Sequence, residues 1–535
     1  MRINRFFIYL GLACILTACG TNRRGDSSID WTDIEVGATT GSPSDMYGRP
    51  SDGYGTETRD TNHSIAVLLP LSGPNASVGE TIRTSVMMAV LSNAPDSLSV
   101  SFFDTNENLQ SAFDRALETA PEIIIGPVFS DNTRIIRDIK PYDLPVLSFT
   151  SDTTTLGDGV ITTALIPTNG IETIVREISA DKTQNLIIIA PDTQSGHLMA
   201  GAAKSAAHAY KTNLNGVFYY QESNPDSIKE MARTASMHQS RTAAHTRARE
   251  VISDILTNEQ LNMLEKSSLN NQLEKLSKTE TLGTVPYDAI LFLGNGNDTK
   301  TIASFLRYYD VSATDARFYG TTMWDGSDIA SDLTMSGAKF ATLSPIRPTF
   351  SGLYEQVSGT PAGHLASFGY DAASIAIGAL YSAAPANHLF NPNGYIGTNG
   401  LFRLKPTGDN ERALRILQLN ATGTPVEVKS AAQNFINPLY KLNPFDVKPV
   451  ESVAIKTSGF DPDDYIQIPE RLKAKYSSRP FGANTKSLST IEQSKLVAIL
   501  PDAEGETIKS ENYTPIKQDT VQRTYIEEYE ITEEQ

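Results

Sequence analysis

The chain has 535 residues, which is too long for a single hydrophobic core. We therefore expect several domains or one two-lobed unit with added segments. Hydrophobic residues make up 40% and charged residues 20% of the chain, which is typical of soluble globular proteins. The formal net charge of −17 argues against a nucleic-acid partner or an anionic lipid surface held by bulk electrostatics.

The N-terminal residues resemble a bacterial lipoprotein signal. A basic start with Arg2 and Arg5 precedes an apolar stretch at 6–16, which is too short to span a membrane as a stable helix. The small residues of LTAC then end at Cys19. The resemblance implies a signal peptide at 1–18 and lipidation of Cys19. An ordinary secretory signal with a chance cysteine is the alternative.

The residues around this cysteine set the expected compartment. Gly20 follows it, where an aspartate would favour retention in the inner membrane, so we expect anchoring in the outer membrane with the body in the periplasm. Cleavage would remove Cys14, so no disulfide is expected. Residues 19–62 are rich in Gly, Ser, Asp and Thr without periodicity, which predicts a flexible tether with a span of roughly 35 Å.

The segment 63–440 alternates strand-like and helix-like stretches, which predicts a globular α/β body. The predicted strands are 65–69, 98–103, 122–125, 145–149, 185–190, 216–220 and 289–293. The predicted amphipathic helices are 79–91, 109–119, 133–139, 171–179 and 198–212. This alternation predicts βαβ units with parallel sheets, and its restart near Ile166 predicts two lobes.

Sequence signals of an enzyme or a metal site are weak. GNGNDTK at 294–300 lacks the spacing of a phosphate loop and is interpreted as an ordinary strand-to-helix turn. His238 and His245 have no companion ligands at metal spacing, and no nucleophile elbow or HExxH motif is present. We therefore expect no catalytic residues, no metal and no cofactor.

Six segments of the body resemble, in the same order, type I periplasmic binding proteins of the leucine-binding kind. They are LLPLSGPNASVGETIR, EIIIGPVFSDNTR, LPVLSFTSDT, NLIIIAPDTQSG, FGYDAASIAIGAL and GTNGLFRLKPTGDNERALRIL. Two more, GTVPYDAILFLGNG and YYDVSATDARFYGTTMWDGS, are similar to the penicillin-binding-protein activator branch of lipoproteins, in its alphaproteobacterial form. The resemblance implies two Rossmann-like lobes joined by three crossing segments. Lobe one would be about 63–166 with 349–400, and lobe two about 168–346.

In this family the cleft between the lobes holds the ligand. The resemblance places the following residues there: Ser72, Ser130, Ser148, Thr150, Asp192, Ser195 and Trp324. The match is partial, because Ser195 stands where the relatives usually have a tyrosine. The hydroxyl residues could receive a carboxylate or only cap the helices that they precede. Trp324 could line the cleft or be a buried structural tryptophan.

Residues 224–284 exceed what a minimal two-lobed protein needs. Leucine, isoleucine and valine recur there at three- and four-residue steps, which predicts an αα-hairpin on lobe two. We expect its polar face to be locally basic, and the residues predicted to dock a partner are Arg241, Arg247, Arg249 and Lys266. A solvated helical face is the alternative.

The end of the chain, residues 441–535, mixes Pro, Asp, Glu and Lys without a sustained period, which predicts an acidic, largely disordered tail. Two functions remain. The first is a non-catalytic, outer-membrane lipoprotein that activates a peptidoglycan synthase, a class A penicillin-binding protein. The second is a solute-binding protein that delivers an amino acid or similar small molecule to an ABC-type transporter. Under either function, the cleft could bind a small-molecule ligand.

Overall fold

The computed structural model describes residues 62–95, 97–435, 441–455 and 459–477. They divide into two compact units. Unit 1 holds the described residues up to Gln239 and from Thr284 to 455, and unit 2 holds Ser240–Gly283 and the residues from 459 onward. The signal peptide, Cys19 and nearly all of the tether lie outside the described residues.

Three sheets form the framework of unit 1. In chain order the strands are β1 (His63–Leu69), β2 (Leu98–Asp104), β3 (Ile123–Ile125), β4 (Val146–Ser148), β5 (Val160–Thr162), β6 (Asn185–Pro191), β7 (Asn213–Tyr220), β8 (Ala289–Phe292), β9 (Arg317–Gly320), β10 (Lys339–Thr342), β11 (Tyr395–Gly397), β12 (Gly400–Leu404), β13 (Asn410–Arg412), β14 (Arg415–Gln418) and β15 (Val426–Lys429). The lobe-one sheet has the order β2-β1-β3-β4-β5, the lobe-two sheet β15-β14-β10-β9-β8-β6-β7, and a small sheet β11-β12-β13.

Helices cover these sheets or form unit 2. They are α1 (Ala76–Asn93), α2 (Leu109–Glu118), α3 (Ser130–Ile139), α4 (Pro167–Ala180), α5 (Gln194–Ala209), α6 (Pro225–Ala235), α7 (His238–Asn258), α8 (Met263–Leu276), α9 (Gly296–Tyr308), α10 (Pro348–Ser358), α11 (His364–Leu380), α12 (Pro385–Leu389) and α13 (Glu470–Tyr476). In lobe one, α1 packs along α11, as the return of the chain to that lobe predicted.

The strands alternate between two buried faces. In β6, Ile187 and Ile189 pack into one core, while Leu186 and Ile188 pack into the core on the other face. All four side chains have no exposed surface. Strands buried on both faces are expected of parallel sheets covered by helices, and β6 pairs in parallel with both neighbours. The predicted two-lobed α/β fold with parallel sheets is confirmed.

The chain crosses between the lobes three times, between β5 and α4, between β10 and α10, and between β13 and β14. The last crossing differs from the predicted division, which gave lobe two only residues 168–346. Two antiparallel strands, β14 and β15, extend the lobe-two sheet beyond β10. Lobe two therefore also includes residues 415–429.

Unit 2 contains most of the predicted helical hairpin and part of the predicted tail. Apolar side chains of α7 and α8, among them Ile252 and Leu269, form one core with Ile466, Ile468 and Leu472. The expectation of a largely disordered tail is wrong for residues 459–477. Residues 441–455 also differ from it, because they run along unit 1 and form an antiparallel bridge with β7.

Candidate functional site

The cleft that the family resemblance implies is expected where the parallel strands of each lobe end, which is where α/β proteins bind ligands. In lobe one the loop after β1 is held by Asp104, whose Oδ1 accepts the backbone N–H groups of Leu71 and Asn106 at 2.9 Å each. Burial alone would raise the pKa of Asp104, but hydrogen bonds from Ser72 and from these backbone groups outweigh it and lower that pKa. Ser72 also accepts the side-chain amide of Asn106 at 3.2 Å. Ser72 is thus engaged within its own loop.

Ser148, the last residue of β4, and Thr150, just after this strand, are buried and internally bonded. Ser148 has no exposed surface, donates to the Pro127 carbonyl at 3.0 Å and shares a hydrogen bond of 2.9 Å with Thr133. Thr150 is 3% exposed, and its Oγ1 accepts the backbone N–H of Asp152 at 3.1 Å. Both hydroxyls therefore stabilise the loops around the cleft. Neither caps an α-helix, which differs from the capping alternative.

Ser130 differs from these residues in being half-buried at a helix start. It is the first residue of α3, and the N-cap position belongs to Phe129, whose side chain makes no capping hydrogen bond. Among the predicted lobe-one hydroxyls, Ser130 is therefore placed nearest to the unpaired N–H groups of a helix N-terminus.

In lobe two, the loop after β6 is exposed. Asp192 pairs with Nε2 of His197 at 2.9 Å, and Ser195 is the exposed second residue of α5. Thr193 is the N-cap residue of this helix, its side chain accepting a first-turn N–H at 3.0 Å. Sequence reasoning missed His197, because it lay outside the motif positions that the family uses.

Trp324 is a core residue of lobe two. It is 1% exposed, and its ring centroid lies 6.1 Å from that of Phe292 and 5.8 Å from that of Phe340. A β-carbon at Gly320 would lie 2.3 Å from the indole, so the glycine makes room for the ring against β9. The prediction that Trp324 lines the cleft is therefore wrong, and the buried structural alternative describes the residue.

The crossing segments are joined by a buried arginine. Arg412 is 4% exposed and lies between the rings of Phe368 and Phe402, with its guanidinium carbon 4.5 and 4.6 Å from the two centroids. It donates to Asn399 Oδ1 at 3.2 Å and to the Thr163 carbonyl. The first and third crossings are therefore linked by a charge-assisted hydrogen bond, which is stronger than a neutral one.

An ion pair connects the two lobes. Nε2 of His364, at the start of α11 in lobe one, lies 2.9 Å from Oδ2 of Asp325, in the loop after β9 in lobe two. Burial alone would raise the pKa of Asp325, but the hydrogen bond and the charge of His364 outweigh it and lower that pKa. The lobes are thus tied by side chains of the chain itself.

The residues predicted to dock a partner separate into two groups. Arg241 is 4% exposed and donates through Nε and Nη2 to the Gly283 carbonyl at 3.1 and 2.9 Å. It holds unit 2 together, so its assignment to a docking surface is wrong. Arg247, Arg249 and Lys266 are exposed.

The expectation of a locally basic hairpin is also wrong. Residues 240–283 carry basic side chains at Arg241, Arg247, Arg249, Lys266, Lys275 and Lys278. They carry as many acidic ones, at Glu250, Asp254, Glu259, Glu265, Glu274 and Glu280. Counting only basic residues concealed this balance, and the segment is neutral.

A cavity of about 430 Å³ lies away from the cleft, at the opposite edge of the lobe-two sheet. It is lined by residues that include Asp181, Arg317 and Lys339. Lys339 Nζ lies 2.8 Å from Asp181 and 2.9 Å from Glu177, so the charges at this cavity are paired with one another. Within the described residues we find no cluster of His, Cys, Asp or Glu suited to a metal ion, and no helix long and apolar enough to cross a membrane.

Comparisons with known proteins agree with this architecture, which defines the class as a protein with the fold of type I periplasmic binding proteins. Residues 57–263 match the model of the family described as "LppC putative lipoprotein". The matched residues do not include the N-terminal segment with Cys19 that resembles a lipoprotein signal. The curated "Uncharacterized protein RP748" of Rickettsia prowazekii is 22% identical over 177 residues, which are 32% of this chain and 47% of that protein. The chain thus spans about half the length of this relative.

Two solved structures align with the chain. The first, described as a "putative branched-chain amino acid ABC transporter" from Rhodospirillum rubrum, aligns with a TM-score of 0.52 and 16% identity, over 69% of this chain and 100% of that chain. The second is the C-domain of LpoA from Haemophilus influenzae, described as a regulator of PBP1A. It aligns with a TM-score of 0.47 and 17% identity, over 68% of this chain and 99% of that chain.

Proposed function

We propose that this protein is a non-catalytic lipoprotein that stimulates a peptidoglycan synthase of the class A penicillin-binding kind, anchored by Cys19 in the outer membrane and facing the periplasm. Its support is the match of residues 57–263 to a lipoprotein family, together with the activator-like motifs of the sequence. In this role the two-lobed fold presents a surface that binds a protein partner.

The observation that carries the proposal is the state of the cleft. Ser148 and Thr150 are buried, with their hydroxyls bonded to loop atoms, and Trp324 belongs to the lobe-two core. A zwitterionic ligand would have to replace these internal hydrogen bonds, which leaves little net gain from its own polar contacts. Asp192 on the facing loop is paired with His197.

The solute-binding alternative has one observation in its favour. Ser130 and Ser195 stand at the starts of α3 and α5, in the two lobes, and are not buried. Helix N-termini in such positions can bind a carboxylate. Calorimetry with the standard amino acids tests it. A micromolar Kd for any of them, lost in Ser130→Ala, would favour transport over synthase activation.

The main test is a reconstituted assay with the class A synthase of the same organism. We expect the chain from residue 20 onward to raise the rate of glycan polymerisation or crosslinking, and to bind the enzyme in surface plasmon resonance. The proposal would be contradicted if the chain neither bound the synthase nor changed its rate.

The exposed side chains of Arg247, Arg249 and Lys266 in unit 2 are the proposed contact. The combined alanine variant of these three residues should weaken binding, and the loss should shrink as ionic strength rises and screens the wild-type contact. Lys229→Ala, which changes an exposed residue of α6, is the matched control. Equal binding of both variants would place the contact elsewhere.

Anchoring has its own test, because it rests on the sequence around Cys19. Cys19→Ala should give an unlipidated precursor that is no longer recovered with the outer membrane. Normal recovery of this variant in outer-membrane fractions would contradict lipid anchoring.

A further inference from the structure

Residues 441–455 form a segment that we call the strap, and it begins at the junction of the two lobes. Lys441 makes an ion pair with Glu411 of β13, on the lobe-one side. The next residue, Leu442, is 7% exposed and donates its backbone N–H to Glu172 Oε2 of α4, in lobe two, at 3.1 Å. Two successive residues of the strap are therefore bonded to different lobes.

The strap then returns to lobe one before it reaches α5. A short turn at Pro444–Asp446 lies beside the turn Thr153–Thr155, which follows β4 in the predicted ligand loop. Asn443 caps the first of these turns through its side chain, which accepts the N–H of Phe445 at 3.2 Å. The strap thus passes the lobe-one edge of the cleft.

Beyond this turn the strap is held by backbone hydrogen bonds to lobe two. The Val450 carbonyl accepts Nδ1–H of His197 at 2.9 Å and the hydroxyl of Tyr219, while its N–H donates to the His197 carbonyl at 3.4 Å. Val453 and Val217 exchange two backbone hydrogen bonds of 2.9 Å, which adds a residue pair to the edge of β7. Recognition by backbone atoms and added strand pairing is how proteins bind extended peptides.

The surface of α5 is shaped to take this segment. A β-carbon at Gly201 would lie 1.8 Å from the Lys448 carbonyl oxygen. Any side chain at this position would displace the strap, since the obstacle is backbone. Lobe two therefore carries a groove for an extended peptide, walled by His197, Gly201, Tyr219 and Val217.

We propose that residues 441–455 are an internal peptide ligand of this groove and that they tie the lobes together, so that release of the strap controls the separation of the lobes. Two lobes joined by a few crossing segments can rotate about these segments as hinges, and a segment bonded to both lobes resists that rotation. This inference concerns the conformation of unit 1 and does not depend on the identity of a partner.

The test uses Gly201→Ala, because alanine favours a helix more than glycine does and the variant should keep α5 folded. Gly352→Ala in α10 is the matched control, since a β-carbon there meets no atom within 4 Å. The chain from residue 20 onward has lost both natural cysteines, so Glu118→Cys in lobe one and Lys229→Cys in lobe two can carry spin labels. Hydrogen exchange of the strap amides reports whether the strap is seated.

In the wild type and in Gly352→Ala we expect protected strap amides and one narrow distribution of label distances. In Gly201→Ala we expect strap exchange to rise by about tenfold or more. The mean label distance should then shift by more than about 2 Å, or the distribution should broaden. Tyr219→Phe, which removes one donor to Val450, should show the same changes in weaker form.

Three results would overturn the proposal. Unprotected strap amides in the wild type would show that the strap is not seated in solution. Protected amides in Gly201→Ala would show that α5 is not its binding surface. Exposed amides with an unchanged distance distribution would show that the strap binds lobe two but does not control the lobes.

Discussion

His364 and Asp325 form a bridge across the cleft, with Nε2 of the imidazole 2.9 Å from Oδ2 of the carboxylate. The first residue of α11 in lobe one thereby holds the loop that follows β9 in lobe two. The two lobes are therefore in direct contact through side chains of the chain itself.

We expect Asp325→Asn to lower the free energy of unfolding at neutral pH by about 1 kcal/mol, the scale of a partly exposed ion pair. The lowered pKa of Asp325 fixes the sign of the pH dependence. The contribution of the ionised Asp325 to the free energy of unfolding is present above the ordinary aspartate pKa of about 3.9. It is lost as the pH falls through the lower pKa of the folded state. The difference between the variant and the wild type should therefore decrease as the pH falls below about 3.9, and it should be smaller at pH 3 than at pH 7.5.

Thermal or denaturant unfolding at pH 7.5 and pH 3 measures this effect. Asp114→Asn is the control, because Asp114 is exposed on α2 and accepts one hydrogen bond, from Gln110 of the same helix at 2.9 Å. Its stability should change by less than about 0.5 kcal/mol at either pH. If Asp325→Asn unfolds like the wild type at pH 7.5, the bridge contributes nothing in solution.

The central strands could be predicted from the sequence, because strands buried on both faces are continuous apolar runs. The run Ile187, Ile188 and Ile189 is an example, since all three side chains are buried in β6. The short strands β5 and β11 were missed, because three residues are too few to show a pattern. Their pairing depends on neighbours that are distant in the sequence.

The candidate site was less predictable, because the partner of a hydroxyl is not encoded near it. The role of Ser148 depends on Thr133 and on the Pro127 carbonyl, and that of Trp324 on the space left by Gly320. The ordered part of the tail was missed for a similar reason. Its apolar residues are few, and the helices that bury them lie about 200 residues earlier in the chain. The hydrogen bond from Gln272 to the carbonyl of Gln467, for example, joins residues 195 positions apart.

Trp324 should behave as a core residue in solution. In a Trp31→Phe background it is the sole tryptophan, and we expect blue-shifted emission that iodide quenches poorly. Trp324→Ala should cost about 3–5 kcal/mol, as for other buried aromatic residues. Trp324→Phe should cost less, because it also removes an indole N–H that has no hydrogen-bond partner among the described residues.

A change at Gly320 tests the same packing from the other side. Gly320→Ala places a methyl group against the indole and should cost about 1–3 kcal/mol, with a red shift of the emission. Gly352→Ala should leave the emission unchanged and should not lower the stability, because its β-carbon meets no atom within 4 Å and alanine favours a helix more than glycine does. Efficient quenching of Trp324 by iodide in the wild type would contradict its place in the core.

Truncation should show that unit 2 needs its C-terminal segment. A stop codon after Ser477 keeps every described residue, and we expect native exchange protection in α7 and α8. A stop after 456 removes Ile466, Ile468 and Leu472, three buried apolar side chains that stabilise unit 2 by about 1.5–3 kcal/mol each. Since an isolated helical hairpin has little stability of its own, we expect α7 and α8 to unfold in this variant.

Hydrogen exchange resolves the two truncations. The shorter chain should lose protection in α7 and α8 while β6 and β8 of unit 1 stay protected. The ion pairs of this segment contribute little by comparison, so Arg471→Ala, which breaks the pair with Glu265, should leave the protection of α7 and α8 nearly unchanged. Protected helices in the shorter chain would mean that the hairpin is stable without residues 457–477.

Seating of the strap should depend on pH through His197. Its Nδ1 faces the Val450 carbonyl and its Nε2 faces Asp192, at 2.9 Å each, and only the protonated ring donates to both acceptors. The hydrogen bond to Asp192, and next the one to the Val450 carbonyl, raise the pKa of His197, with a further contribution from the charge of Glu451. Burial raises the pKa of the stacked Tyr219 to about 12, so its hydroxyl stays a donor throughout the neutral range.

Because the pKa of His197 is raised when the strap is seated, the stabilisation by the protonated ring is fully present below the ordinary histidine pKa of about 6.5. It is lost as the pH rises through the higher pKa of the folded state. After correction for intrinsic exchange, we expect the amides of Val450 and Val453 to be more protected at pH 6 than at pH 8. His197→Gln should remove this difference, because glutamine does not titrate. His208→Gln, which changes an exposed residue of the same helix, should retain it. Equal protection at both pH values in the wild type would exclude His197 as the titrating contact, and the strap would then be held by contacts that do not titrate in this range, such as the Tyr219 hydroxyl and the Val217 pairing.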